Sequence, residues 1–328
     1  MGRFLTTPRG LSRSDSKWPS VLQCYMNGII NIYKEPGYTS HDVVAKLRGI
    51  LHTKKIGHTG TLDPMATGVL PVCVGAATKL CDSMSGHDKE YEAVMLLGKT
   101  SDTLDTTGVI LEEREVMSTK EDITDVIKSF IGGYEQVPPM YSAKKIDGKK
   151  LYDLARNGQV VERKPVFVKI YDISIISIDI PRVKMRIKCG KGTYIRSLVD
   201  DIGRKLGCGA LMEALTRTKV GEFSIDAAYK LSDIEKARDE DKISDVIISL
   251  EKVFEHLDSV RTDTELSKLL QNGNVISGRS IRKICGTLSK DDDDKTMVRM
   301  YDDTGVFVGV YEYNKSRDIY KPYKMFAV

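Results

Sequence analysis

A mixed α+β chain of two domains is what this sequence predicts, and three observations carry the expectation. At 328 residues it is long enough for two cores of about 150 residues each. Strand-like and helix-like patterns interleave up to about residue 257. From about residue 260 the pattern changes to short apolar-alternating runs divided by turn signals, which suits a small β-barrel. Residues 1–25 stand apart from both. They carry Arg3, Arg9, Arg13 and Lys17 against Asp15, hold the lone Trp18, and show neither an amphipathic repeat nor the apolar core of a secretory signal. They are read as an extension outside the fold, disordered or artificial, with Met26 a natural start.

In chain order, GIINIYKEPG reads as a short strand closed by a Pro-Gly turn. SHDVVAKLRGIL places Val43, Val44, Leu47, Ile50 and Leu51 on one helical face, with Ser40 as the expected N-cap. GVLPVCVG and YEAVMLLG read as strands, and EDITDVIKSFIG and KKLYDLARNG as helices ending at glycine. Arg182 to Cys189 alternates basic and apolar residues without a break, so period 2 puts four cations on one face and the apolar set in the core. TYIRSLVDDIGRKLG is the next helix. A charged helical stretch fills 231–257, and the tail reads as the helix ELSKLLQNG followed by strands near TMVRMYDD, GVFVGVYEY and YKPYKMFAV. The acidic run 290–295 is expected at an exposed loop tip.

Composition excludes more than it selects. The formal charge of +4 includes +3 from residues 1–25, which leaves +1 for the remainder, so bulk charge does not argue for nucleic acid. Local charge does: residues 180–196 carry Arg182, Lys184, Arg186, Lys188, Lys191 and Arg196 with no acid, and 144–169 add Lys144, Lys145, Lys149, Lys150, Arg156, Arg163, Lys164 and Lys169. Sharing one face, they would form a polyanion footprint and wall a groove for phosphates within reach of Arg196. Six cysteines without CxxC spacing and few histidines indicate neither a zinc site nor a disulfide framework. Scattered free thiols fit a reducing cytoplasm. No apolar run approaches the roughly 18 residues of a membrane helix, and no dinucleotide fingerprint or metal spacing is present, so no cofactor is expected.

The run GHTGTLDPMATG at 57–68 holds a single carboxylate, Asp63, among small residues. Pro64 disfavours helical torsions at the residue before it, so Asp63 is expected in an extended or turn conformation. Gly57, Gly60 and Gly68 permit close approaches that a Cβ would block. Such a loop lets a ligand backbone pass near one reactive oxygen; an ordinary Asp-Pro turn is the other reading.

This run resembles the signature loop of the TruB family of tRNA pseudouridine synthases. KEYEAVMLLGKTSDTLDTTG at 89–108, QVPPMYSAKKIDGKKLYDLARNG at 136–158, KCGKGTYIRSLVDDIG at 188–203 and ALTRTKVGEF at 214–223 resemble further blocks of that family in the same order. The resemblance runs from Met26 to the C-terminus. It implies an α+β catalytic domain at 26–257 with a mixed, largely antiparallel sheet flanked by helices, and a C-terminal PUA-like RNA-binding barrel at 258–328. It implies isomerisation of uridine 55 in the tRNA T-loop to pseudouridine, with the base flipped into a pocket. Asp63 is then the catalytic carboxylate, acting as a nucleophile at C1′ or C6 or as a base at the 2′ position. Tyr91 stacks on the target base and assists proton movement at C5; Arg196 pairs with Asp63 and keeps it ionised. His58 fills the space the base vacates, and Tyr194 and Leu215 contact the substrate. Lys144, Lys145, Lys184, Arg186, Lys188 and Lys191 are the expected RNA-backbone contacts. The implied partner is tRNA, with no metal, membrane or obligate protein partner. Two other readings remain open at this point: an RNA-binding protein or tRNA folding chaperone with dispensable catalysis, and a guide-RNA-dependent synthase needing partner proteins.

Overall fold

The computed structural model describes residues 26–142, 144–146, 148–159, 161–286 and 296–326, with the backbone alone for Lys145, Ile146, Lys150 and Arg156. The N-terminal extension and the acidic run 290–295 lie outside the described residues.

A nine-stranded sheet organises residues 28–249. Its strands are β1 (Gly28–Lys34), β2 (Ile56–His58), β3 (Thr67–Val74), β4 (Lys89–Leu97), β5 (Ile170–Asp179), β6 (Arg182–Cys189), β7 (Ala210–Val220), β8 (Phe223–Ser224) and β9 (Ile248–Ser249). The order is β5-β6-β4-β7-β3-β1-β9, with β2 against β3 and β8 against β7. Every neighbouring pair is antiparallel except β3 and β7, which run parallel at Thr67–Thr216 and Gly68–Arg217. The sheet is therefore mixed and largely antiparallel, as expected.

Four helices, α1 (Ser40–Ile50), α2 (Lys120–Lys128), α3 (Ile195–Leu206) and α4 (Leu231–Asp239), contribute to the core on one face of this sheet. Val43, Leu47, Ile123, Ile127, Leu198, Ile202 and Ile234 share a single apolar cluster with Ile30, Ile32, Val72, Ala93, Met95, Met185 and Ile187. The alternation of β4 and β6 makes that possible, because every second side chain points to the helices. Two boundaries differ from expectation. Thr39, not Ser40, caps α1: the Thr39 hydroxyl accepts from the Asp42 amide and the Asp42 carboxylate accepts from the Thr39 amide. Ser40 is buried, and its hydroxyl accepts from the amide of Leu62 in the signature loop. Helix α2 ends at Ser129 instead of at Gly132.

A second, five-stranded sheet organises the C-terminal residues: β10 (Asp258–Arg261), β11 (Ile276–Ser277), β12 (Met297–Tyr301), β13 (Phe307–Asn314) and β14 (Ile319–Met325), in the order β10-β12-β13-β14-β11. Helices α5 (Thr264–Gln271) and α6 (Gly278–Cys285) accompany it; α6, β10 and β11 were not legible as pattern. The second sheet docks on the reverse face of the first. Val310 and Phe326 join Ile29, Cys73, Ala77, Leu80 and Leu250 in one apolar cluster, and the Lys79 ammonium donates to the Met325 carbonyl at 2.8 Å.

Candidate active site

The signature loop leaves β2 at His58 and enters β3 at Thr67, so both its ends are fixed in the sheet. Its course is set by glycine at Gly68, where φ is +101° and a Cβ would stand 2.2 Å from the Arg217 carbonyl oxygen of the neighbouring strand. Within the loop the Ala66 amide closes a turn onto the Asp63 carbonyl at 3.1 Å. Asp63 is thus presented from a turn, as Pro64 requires.

Two buried cations hold the loop from behind. Lys34, fully buried in β1, donates its ammonium protons to the carbonyls of Glu35, Tyr38 and Pro64. Burial pulls this ammonium down to about 8, with the Asp63 charge the main influence in the opposite direction. Arg217, 1% exposed, donates from Nε to Val69, from Nη1 to Thr61 and from Nη2 to Gly60, all backbone carbonyls.

The Asp63 carboxylate meets Arg196 in a fork. Arg196 Nε donates to Oδ2 and Nη2 to Oδ1, each at 2.9 Å. Arg196 is the second residue of α3, so the positive end of the helix dipole acts on the Asp63 carboxylate in the same direction as the guanidinium. Two further donors go to the Thr103 carbonyl at 3.0 Å and the Tyr141 carbonyl at 2.8 Å, and Asp105 Oδ2 lies 3.9 Å from Nε. The arginine is buried, whereas the Asp63 side chain keeps 34% of its surface open. The carboxylate is fixed on one side and accessible on the other, which is what a group attacking or deprotonating a bound molecule needs.

Tyr91 lies on β4 directly opposite Arg217 of β7, and Ala93 opposite Leu215. Tyr91 and Leu215 therefore share the helix-side face with the Asp63 loop, both buried. Burial pushes the Tyr91 phenol above its usual range, against the pull of Arg217. His58 packs edge-on to His41 of α1 at 5.5 Å, and its Nδ1 accepts from the Gly60 amide. Burial drives its imidazole down to about 4, so it is neutral at physiological pH. Tyr194 is the N-cap residue of α3, half-buried, its amide donating to Gln136 Oε1 and its carbonyl accepting from Gln136 Nε2.

The expected basic groove requires a correction. Arg186 is directly opposite Glu92 on β4 and Lys188 opposite Glu90, and these even-numbered positions of β4 point away from Tyr91. The cations of β6 thus lie on the reverse face of the sheet from Asp63, and Arg196 does not share a groove with them. Most are also matched by acids: Arg182 with Glu213, Lys184 with Glu92, and Arg186 with Glu92 and Glu90. Lys188 lines an open cavity of about 470 Å³ with His87, Lys89, Glu90, Lys219 and Glu222. Lys191 is exposed on the loop entering α3, and Lys144 lies three residues beyond Tyr141. The Lys145 side chain is outside the described residues. Sequence alone missed Lys34, Thr103, Asp105, Tyr141 and Arg217 as site residues, although all but Lys34 fall within blocks quoted above. Among the described residues no cluster of His, Cys, Asp and Glu could hold a metal, and no helix is long and apolar enough to cross a membrane.

Family models match this chain in two consecutive stretches: a TruB family pseudouridylate synthase N-terminal domain at 48–195, and a tRNA pseudouridylate synthase B C-terminal domain at 196–255. A curated relative, the tRNA pseudouridine synthase B of Lachnoclostridium phytofermentans, is 47% identical over 311 residues, covering 92% of this chain and all of its own. The chain belongs to the TruB family. Another TruB relative, from Clostridium acetobutylicum, is 48% identical over 285 residues, covering 87% of this chain and 95% of its own. Among solved structures, a Cbf5-Nop10-Gar1 complex contains a chain 27% identical with a TM-score of 0.68, covering 96% of this chain and 91% of that one. An H/ACA RNP bound to a substrate RNA containing 2′-deoxyuridine contains one 25% identical with a TM-score of 0.67, covering 93% and 87%. Membership of the TruB family makes this protein an isomerase, a pseudouridine synthase.

Proposed function

We propose that this chain isomerises uridine 55 in the T-loop of tRNA to pseudouridine, with Asp63 as the essential carboxylate. The observation that carries the reading is the Asp63–Arg196 fork, buried on the arginine side and open on the carboxylate side. Breaking the N1–C1′ bond and joining C5 to C1′ is redox-neutral, so a fixed ionised carboxylate and a route for one proton are sufficient. Asp63 acts as a nucleophile at C1′ or C6, or takes the 2′ proton. Tyr91 stacks on the flipped base and handles the C5 proton, Leu215 walls the pocket, Tyr194 contacts the substrate, and His58 occupies the space the base leaves. The steric role suits a histidine that burial keeps neutral.

The C-terminal sheet is proposed as a PUA-like RNA-binding module within 258–328, following a catalytic domain at 26–257, and the cytoplasm as the place of action. Lys144, Lys145 and Lys191 are proposed to meet the RNA backbone, because their segments flank Arg196, which reaches Asp63, and Tyr141, whose carbonyl accepts from Arg196. A stand-alone enzyme is favoured over a partner-dependent one: relatives named tRNA pseudouridine synthase B are 47–48% identical, against 25–27% for the chains in H/ACA and Cbf5 assemblies.

Tritium release from an unmodified tRNA transcript labelled at uridine C5 tests the reading, with wild type and Asp63→Asn side by side. One equivalent released per tRNA by wild type alone, on bare tRNA, is the expected result. Full release by Asp63→Asn would remove the carboxylate from the mechanism. No release by wild type with tRNA binding retained would favour the chaperone or the guide-dependent enzyme.

A further inference from the structure

Arg217 is the largest side chain among those fully buried, and it has no carboxylate within ion-pair distance among the described residues. A buried charge without a counter-ion is costly, and apolar packing would fill the same volume without that cost. Its contacts to Val69, Thr61 and Gly60 use three of the five N–H donors of a guanidinium. The cross-strand partner of this arginine is Tyr91. Tyr91 stands directly opposite Arg217 in the antiparallel β4–β7 ladder, on the same face, where facing side chains meet, and the guanidinium favours the ionised phenol.

The direction of the interaction between them is fixed by chemistry. A guanidinium has no acceptor, so the phenol oxygen must accept, and the hydroxyl proton of Tyr91 is left to point elsewhere. Tyr91 is only 7% exposed and cannot give that proton to bulk water. We propose that Arg217 is a positioning residue for the isomerisation: it holds the Tyr91 oxygen from behind and so presents the phenol proton, or the oxygen once ionised, to the substrate side of the pocket. The same guanidinium ties Tyr91 to the carbonyls of Gly60 and Thr61, two to three residues before Asp63, so the phenol and the carboxylate are held in one register. Burial keeps the phenol neutral at rest, and the phenol also faces Asp63 and Cys189, both of which oppose its ionisation; Arg217 acts in the other direction. The inference rests on the proposed role of Tyr91 at the base.

The test uses Arg217→Gln, Arg217→Lys and Tyr91→Phe in the full chain, followed by tritium release and by ¹⁹F spectra of protein labelled with 3-fluorotyrosine. The Tyr91 resonance is the one absent from Tyr91→Phe. Arg217→Gln is expected to lower kcat at least tenfold with KM within threefold and to raise the pH at which the Tyr91 resonance titrates, while Arg217→Lys recovers part of both. Wild-type kcat in Arg217→Gln, or an unmoved Tyr91 titration beside lost stability, would overturn the proposal and leave Arg217 a brace for the loop. If Arg217→Gln does not fold, Arg217→Lys decides: a fall of kcat of threefold or more with KM within twofold supports the proposal, and unchanged kcat overturns it. Full activity of Tyr91→Phe with a Tyr91 titration that still responds to Arg217 would instead fail the reading of Tyr91 and leave the contact intact.

Discussion

Replacing Arg196 by Met removes four hydrogen bonds at once, and their sizes follow from the geometry. Two are charge-assisted bonds of 2.9 Å to the Asp63 carboxylate, and two go to the Thr103 and Tyr141 carbonyls at 3.0 and 2.8 Å. Bonds to charged groups are worth roughly 1.5–3 kcal/mol each, so the fork contributes about 3–6 kcal/mol to holding Asp63 in one direction. Asp63 is open enough for water to replace the lost bonds, but water does not fix the direction of an attacking oxygen. At 1.36 kcal/mol per decade the expected loss in kcat is roughly 10²- to 10⁴-fold. Arg196→Lys keeps the charge and about half of the fork, for a loss of roughly 10- to 100-fold on the same scale. Single-turnover tritium release measures the rate, filter binding measures tRNA affinity, and thermal melting checks that the variants fold. A folded Arg196→Met within threefold of wild-type kcat would refute the orienting role. A defect confined to tRNA binding would assign Arg196 to the RNA instead of to Asp63.

Three further outcomes are expected. Ser40→Ala leaves the Leu62 amide without its partner in a buried site, so stability should fall by about 1–3 kcal/mol and kcat should fall with it; a normal kcat would mean that Asp63 does not depend on its neighbour's anchor. His58 titrates near 4 in the fold against about 6.5 in the unfolded chain, so its neutral form is the one the fold favours. Its contribution to stability is complete above about pH 6.5 and is lost as pH falls toward 4, and an NMR midpoint near 6.5 would contradict its burial. Lys184→Ala with Arg186→Ala should leave tRNA affinity within twofold and the salt dependence unchanged, since both lie on the reverse face; a drop of the log–log salt slope by about 2 would return them to the RNA.

Periodicity alone placed β1, β3, β4, β6 and α1, because apolar spacing reports which side of an element is buried. The motif blocks pointed to Asp63, Tyr91, Arg196 and Leu215, and the fold brings all four to one side of the sheet. What spacing could not decide was which face a charged row occupies relative to a distant loop. The alternation of β6 fixes that its cations share a face, but only pairing with β4 decides that this face looks away from Asp63 and meets Glu90 and Glu92. Ser40 likewise has the residue type of a helix cap, yet the cap falls to Thr39 because the hydroxyl of Ser40 is used 22 residues away, at Leu62. Lys34 and Arg217 look like surface cations in the sequence. Their burial comes from the loop that folds over them and offers them its carbonyls, a satisfaction of charge that exists only when β1, β7 and the loop between β2 and β3 are brought together. The sequence by itself therefore determined the family, the strand and helix patterns, and the loop that carries the proposed carboxylate, each written in local order. The tertiary structure alone decided which cations face the site and which groups hold it, because both depend on contacts between residues far apart in the chain.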